Sequence, residues 1–364
     1  MRLNTIQLLT NSSYMMSIIF IPLLAESLGA SYFEIGVISA IFGASSFVSS
    51  FIFGKVADIH RLRIVVMIGL TAGAITFFLQ VFAYDPLSLA ITRGLAGFSV
   101  GMYPAALIAY VHYQKRSIGK FSSFGSLGWL AGYLLAGVIG NIQYLFAISS
   151  LFYCFALFSA FGLKDIEKPI INVSYFSVET FTRNIGIYLS LFIRHTGAVS
   201  VWTILPLYLI ELGANTFWIG MIYAINPALQ FLIMRRLEGL RNEKLVVWGY
   251  LLSALAFITY IFAPAFPYII PGMLLVGCSW SFLYVGSTQM VVERNPDKAT
   301  AAGLINSMIG AAGITGALLG GMLLQVYGFK ATLLAGVVLS LLSFVIFRVL
   351  DYHIDEIHNF NKIY

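Results

Sequence analysis

The sequence is short of charge: Asp, Glu, Lys and Arg make up 10% of its 364 residues, against roughly 25% in a soluble domain. Water is therefore not its main solvent. It also lacks any long polar stretch, because the longest polar connection runs from Lys164 to about Thr182. That leaves little room for the polar domain or catalytic loop of a membrane enzyme or receptor. Only two cysteines occur, Cys154 and Cys278, both within apolar runs, so they read as small packing residues rather than a disulfide or a metal site. His60, His112, His353 and His358 are too scattered to gather a metal. No G-x-x-x-x-G-K-S/T, H-E-x-x-H, paired-carboxylate or Ser/His/Asp pattern is present. ATP-driven transport by this chain alone and enzymatic chemistry are thus not expected, nor is a cofactor or a metal. The first apolar run has no A-x-A-like end, so it reads as a retained span rather than a cleaved signal.

What is abundant is apolar surface, with 59% hydrophobic and 15% aromatic residues. A bilayer core about 30 Å thick takes about 20 mostly apolar residues per helix. Uncharged runs of that order cover Leu3 to Ala25, Ile35 to Gly54, Ile64 to Tyr84, Gly94 to Gln114 and Leu212 to Met234. Longer ones hold two spans each: Phe121 to Leu163 divides at Gly140-Asn141, Leu245 to Val292 near Pro264 to Pro267, and Ala299 to Phe329 runs into Thr332 to Phe347. The expected fold class is an all-α polytopic membrane protein of about twelve transmembrane helices.

The net charge of +6 could suggest nucleic acid, but the basic residues follow the pattern that membrane topology imposes. No nucleic-acid partner is expected; membrane lipids are. With the N-terminus cytoplasmic, Lys330 alone of the loop Lys and Arg residues falls outside, and Arg93 and Arg194 fall inside the membrane. Both termini are therefore expected to be cytoplasmic, in a multi-pass protein of the plasma membrane. The sequons at Asn11 and Asn172 lie in a span and on the cytoplasmic side, where glycosylation does not occur.

The two halves resemble each other at a spacing of 184 residues. Pro22-Leu23 matches Pro206-Leu207, Leu28-Gly29-Ala30 matches Leu212-Gly213-Ala214, Gly119 matches Gly303, Ser123 matches Ser307, Gly132 matches Gly316 and Gly137 matches Gly321. Six helices per half put both halves into the bilayer in the same orientation, related by an axis along the membrane normal. The division expected is a six-helix bundle over 1–163, a cytoplasmic linker over 164–182, a second bundle over 183–350 and a cytoplasmic tail over 351–364. A gap between two pseudo-equivalent bundles follows.

The loop after the second span reads Gly54-Lys55-Val56-Ala57-Asp58-Ile59-His60-Arg61-Leu62-Arg63. It resembles the G-x-x-x-D-x-x-x-x-R signature of the major facilitator superfamily, matching at Gly54, Asp58 and Arg63, with Arg61 where the family usually has a second glycine. The equivalent second-half loop, Glu238 to Lys244, is degraded. Arg93-Gly94-Leu95-Ala96-Gly97 resembles the family's R-x-x-x-G signature. Gly128-x-x-x-Gly132-Tyr133-Leu134-Leu135-Ala136-Gly137 resembles a glycine-rich signature of exporters, with Tyr133 in place of its proline, and Gly316, Gly320 and Gly321 stand at the equivalent place in span 11. The resemblance implies a rocker-type carrier. In physical terms, Asp58 is a candidate gate latch because a carboxylate can sit on a helix N-terminus; the alternative is a solvated loop pair worth about 0 to 1 kcal/mol. The glycines read as close helix packing.

By the same resemblance, the first and fourth helices of each half line the cavity, which makes Asn11, Tyr14, Arg93, Arg194, His195, Trp202, Trp280, Tyr284 and Gln289 candidates for substrate contact. Tyr223, Asn226 and Gln230 form one helical stripe in span 8, and Ser122, Ser126, Trp129 and Tyr133 another in span 5. The competing reading is interhelical hydrogen bonding, worth about 0.6 kcal/mol on average in membranes. An Arg within the bilayer costs roughly 2.5 to 3.5 kcal/mol on insertion scales, so it usually faces a cavity or a partner; Arg93 is near enough to its helix end to snorkel in part. Because all Asp and Glu residues fall at or beyond span ends, the cavity is expected to be electropositive and to favour an anionic or neutral polar small molecule. His195 is the one obvious proton carrier. The expected function is secondary active transport by alternating access, by a monomer. Efflux of amphiphilic drugs is the alternative, and a membrane enzyme or a transporter-like sensor are further ones.

Overall fold

The computed structural model describes residues 2–30, 32–166, 178–214 and 216–360. The first half is built from α1 (Arg2–Ile18) and α2 (Ile21–Ser27), which together make one span, α3 (Tyr32–Ile59), α4 (Leu62–Leu79), α5 (Pro86–Met102) with α6 (Pro104–Tyr113), α7 (Ile118–Ile139) and α8 (Ile142–Phe161). The second half follows as α9 (Val178–Arg183), α10 (Ile185–Glu211), α11 (Thr216–Met234), α12 (Asn242–Ile261), α13 (Ile270–Arg294) and α14 (Lys298–Phe360). The last of these is two spans, since Gly328 breaks it at φ 78° and ψ −176°. Twelve spans result, in a helical fold without strands among the described residues. Eight helical stretches are long and apolar enough to cross a membrane on their own, the 53-residue one holding two spans. α1 and α11 are shorter, and α10 is interrupted by Arg194-His195. These exceptions carry many of the polar candidates, which is why their apolar signal is weaker.

Spans end where turn chemistry requires it. Gly140 takes φ 64°, a left-handed conformation open to glycine, and Asn141 then starts α8 by accepting from the Tyr144 amide at 3.0 Å. Asp85 opens α5 with a capping box: its carboxylate accepts from Ser88 N at 2.6 Å. The Ser88 hydroxyl and amide hold the Asp85 carboxyl below the usual carboxylate range, so this cap is present at neutral pH and fades under acid as Asp85 protonates.

The sequence repeat is a repeat of geometry. Gly29 and Gly213 share φ 87°, and Ala30 N bonds to Ala25 O at 2.9 Å just as Ala214 N bonds to Leu209 O at 2.8 Å. Both first spans therefore end in the same glycine-based cap. Gly132 of α7 lies on α1 so closely that a Cβ there would stand 2.7 Å from Ser12 O, and Gly316 of α14 lies on α10 with 2.6 Å to Thr196 O; each residue is 184 from its counterpart. Gly128 and Gly320 repeat the contact one turn away, on Leu8 O and Ser200 O. Gly137 and Gly321 have nothing within 4 Å of a Cβ. Gly128, Gly132, Gly316 and Gly320 thus hold helices together within each bundle, whereas Gly137 and Gly321, expected to pack in the same way, meet no neighbouring helix.

Different glycines join the bundles. α3 runs against α14 and α7 against α11. A Cβ on Gly303 would sit 2.7 Å from Ser50 O, and Gly119 abuts Met234 O in the same way; 119 to 303 and 50 to 234 are both the repeat spacing. Gly43 and Gly310 continue the α3–α14 contact at 3.2 Å. Further along, Gly36 and Gly220 have nothing within 4 Å. The bundles thus touch at the end that carries Lys120, Glu238 and Lys298, the basic end, and part towards the other.

The described part of the linker expected over 164–182 includes most of α9, and residues 167–177 lie outside the described residues. The helix of the last span continues through Phe360, into the expected tail.

Candidate functional site

The contact at the basic end is a seal built around one carboxylate. Asp58, 2% exposed, sits at the end of α3 and reaches across to the other bundle. Its Oδ1 accepts from Ala299 N at 3.2 Å and its Oδ2 from Thr300 N at 2.6 Å. Those amides belong to the first turn of α14, which has no helical acceptors for them. Gly54, one turn earlier, permits the approach: a Cβ there would lie 3.0 Å from Ala299 O. On the pseudo-equivalent side Lys120 pairs with Glu238 at 2.7 Å. Both side chains are more than half exposed, so that pair contributes at most about 1 kcal/mol. Arg61 and Arg63 do not reach the second bundle: Arg61 pairs with Asp165 at the start of the linker at 3.5 Å, and Arg63 Nη2 donates to Phe161 O at 2.8 Å.

Above the seal lies a layer of amides. Ser126 donates to Gln230 Oε1 at 2.9 Å, from α7 across to α11, and Gln230 Nε2 donates to Asn226 Oδ1 at 2.6 Å. Trp129 Nε1 donates to Asn11 Oδ1 at 2.7 Å, tying α7 to α1. Rings follow. Tyr133 meets Tyr223 edge-on at 5.8 Å between the bundles, and Tyr223 meets Trp202 at 5.2 Å. On the second-bundle side His195 stacks on Trp280 at 4.9 Å and Trp280 on Tyr284 at 5.5 Å. On the first-bundle side Tyr14 stacks on Phe42 at 5.6 Å. Asn11, Tyr14, Trp129, Tyr133, His195, Trp202 and Tyr284 remain partly open, whereas Tyr223, Asn226, Gln230 and Trp280 are buried.

Behind the rings stand the two intramembrane arginines, each 1% exposed. Arg93 lies over the Phe42 ring at 4.2 Å and donates to Gln80 Oε1 at 3.1 Å. Arg194 donates through Nε to Ser253 Oγ at 2.7 Å and through Nη2 to Ser279 Oγ at 3.2 Å, 5.6 Å from the Trp280 ring. Ser279 can accept because its own proton goes to Gly249 O at 2.7 Å. These hydrogen-bond partners of the two cations are all neutral. Gln289 is apart from all of these, bonded to Glu293 one turn further down at 2.8 Å, near the basic end of α13.

Several partners were not visible in the sequence. Gln80, Ser253 and Ser279 look like ordinary polar residues in apolar runs, and Lys120–Glu238 draws on a loop whose motif is degraded. The signal that existed was the repeat: Gly119 and Gly303 match at the fixed spacing, and both turn out to be contact points between the bundles.

Two similar six-helix bundles meet at the basic end, with polar groups and rings lying between them further along. The sequence profile of the Major Facilitator Superfamily matches residues 3–299 and 187–359, and the chain belongs to that family: it is a multi-pass integral membrane transporter for small molecules. Among similar proteins are the Multidrug resistance protein MdtG of Salmonella paratyphi C, 28% identical over 91% of this chain and 90% of that protein, and MdtG of Salmonella typhi, 27% identical over the same shares. Among solved structures, the human organic anion transporter MFSD10 (TETRAN) superposes with a TM-score of 0.78 at 15% identity, covering 95% of this chain and 98% of that one. The nucleoside transporter NupG superposes with a TM-score of 0.65 at 15% identity, covering 96% of each chain. At such identities the structures speak for the fold alone.

Proposed function

We propose that this protein is a secondary carrier that works by alternating access, with the basic end cytoplasmic and sealed and the gap open to the outside, and that its cargo is a neutral or anionic organic molecule with aromatic or amphiphilic character. The observation that carries the substrate reading is the layering between the bundles, in which partly open rings stand in front and a buried guanidinium behind them on each side. A unit charge at about 10 Å with an effective dielectric of about 20 contributes about 1.7 kcal/mol, so the two arginines together disfavour a cation. No Asp or Glu stands at a comparable depth to offset them, since Glu26, Glu34 and Glu211 lie at one end of their helices and Asp58 and Glu293 at the other. Efflux of amphiphilic compounds is the second reading; the rings favour it, and so does the name of the MdtG relatives. A monomer in the plasma membrane with both termini inside completes the proposal.

The test is a matched series in proteoliposomes: a naphthyl acid, the corresponding alcohol and the corresponding amine, competing for binding measured by thermal stabilisation. The acid is expected to bind at least tenfold more tightly than the amine. An amine that binds best would overturn the reading of the gap, and equal inhibition by many unrelated amphiphiles would favour efflux. Protons are the proposed coupling ion, carried by His195, whose buried Nδ1 has no hydrogen-bond partner and whose ring borders the gap. Transport by His195→Gln is expected to lose its dependence on a pH gradient; an unchanged pH dependence removes His195 from the mechanism.

A further inference from the structure

The first turn of α14 has two carboxylates beside it, and only one of them is where a helix would normally keep its cap. Asp297 immediately precedes Lys298, and its carbonyl accepts the first helical bond, from Ala301 N at 3.0 Å. That defines the N-cap position, from which a side-chain oxygen ordinarily accepts the amides of the second or third helical residue. Those amides are Ala299 and Thr300, and Asp58 of the other bundle holds both. The resident Asp297 is turned away: its Oδ2 accepts from Thr180 Oγ1 of α9 at 2.6 Å, and it is 6% exposed. The neighbouring Arg183 donates to Asn295 Oδ1 at 3.5 Å, so α9 is fastened to the connection that leads into α14.

We propose that Asp297 is a second gate carboxylate that takes over the α14 amides when Asp58 leaves. Sealed, the helix is capped from the first bundle and Thr180 holds Asp297 aside. When the bundles part at the basic end, Asp58 withdraws with α3, and the two amides lose their side-chain acceptor, leaving water as the alternative. Asp297 is the acidic side chain already at the right place in the chain, and a rotation about its own side-chain bonds brings it to them. Capping is then retained in both states, and what changes is which bundle supplies it. Asp297 acts as a positioning residue: it sets the balance between states without touching cargo.

The proposal rests on the alternating-access reading, and one experiment separates the two. Cys154 and Cys278 are replaced by Ser, Ser307→Cys is introduced in the buried α3–α14 contact, and labelling by a membrane-impermeant maleimide is followed from the basic side in oriented vesicles. Asp58→Ala is expected to raise the labelling rate roughly tenfold, the factor that corresponds to a lost helix cap. Asp297→Ala is expected to lower it roughly tenfold, because the open state is left uncapped, while Asp297→Asn, which caps equally well, stays within about twofold of the parent. Thr180→Val, which frees Asp297, is expected to raise labelling. No rise with Asp58→Ala would defeat the alternating-access seal itself. A rise with Asp58→Ala together with a rise or no change with Asp297→Ala would leave the seal standing and overturn the handover, making Asp297 a tether only. Should Asp297→Ala fail to assemble, Asp297→Gln answers the same question, since it can still accept from Thr180 but is not among the residues that cap helices.

Discussion

Transport by Asp58→Ala is expected to fall at least tenfold while the protein still inserts and folds. The carboxylate satisfies two amides of α14 from the opposite bundle at 3.2 and 2.6 Å. Losing a helix cap costs about 0.5–2 kcal/mol, and the negative charge at a partly buried helix N-terminus adds up to about 2 kcal/mol. All of that stabilisation belongs to the sealed state, so the equilibrium moves by roughly ten- to a hundredfold towards opening at the basic end. A carrier that rests open on one side turns over slowly because it must climb the difference on each cycle. Asp58→Asn retains an acceptor oxygen and should lie between the two. The measurement is the initial rate of uptake into proteoliposomes beside the unfolding temperature in detergent. A wild-type rate for Asp58→Ala would show that the seal does not govern the cycle, and a parallel loss of folding would make Asp58 a purely structural residue.

The second large effect concerns Arg194, where removing a neutral partner should do more harm than removing the charge. Ser253→Ala leaves the Arg194 Nε without its 2.7 Å acceptor in a site that is 1% exposed. An unpaired donor on a buried charged group costs about 2–4 kcal/mol. Arg194→Met fills much of the same volume and removes the charge, whose burial in the membrane costs roughly 2.5 to 3.5 kcal/mol to begin with. The expected order of thermal stability is therefore Arg194→Met equal to or above the wild type, with Ser253→Ala well below both. At the same time Arg194→Met should weaken the preference for the naphthyl acid over the amine by roughly a hundredfold, because about 1.7 kcal/mol is taken from the acid and as much returned to the amine. Were Arg194→Met the least stable of the three, the arginine would be a keystone of packing and not an electrostatic feature of the gap.

The sequence made the spans legible because their ends are written in strong local signals. Gly140, Gly213 and Gly328 sit where the chain needs positive φ, and the uncharged runs between such points have the length of a bilayer. The repeat was legible too, down to the pairing of Gly132 with Gly316 that places two helices on two carbonyls. Partners of polar groups were not, and the reason is chemical. A hydroxyl in an apolar helix can be satisfied by its own preceding turn, as Thr10 is by Ile6 O at 2.9 Å and Ser12 by Leu8 O at 2.9 Å. Nothing in the sequence separates those from Ser253 and Ser279, which turn to a guanidinium instead. Asp58 was legible as a candidate latch from its motif, but its acceptance from α14 required knowing which helix stands 241 and 242 residues away. Gln289 misled because helical position alone does not report depth, and Glu293 draws it to the end of α13.

The arginines also bear on how the chain is assembled at the ribosome. Arg93 finds Gln80 only 13 residues earlier in the chain, so its partner is already synthesised when α5 reaches the translocon. Arg194 has its hydroxyl partners 59 and 85 residues later, in helices not yet made when α10 emerges. The first bundle can therefore settle into lipid as it is produced, whereas α10 has to be sheltered, by the translocon or by the first bundle, until α12 and α13 arrive to surround its charge.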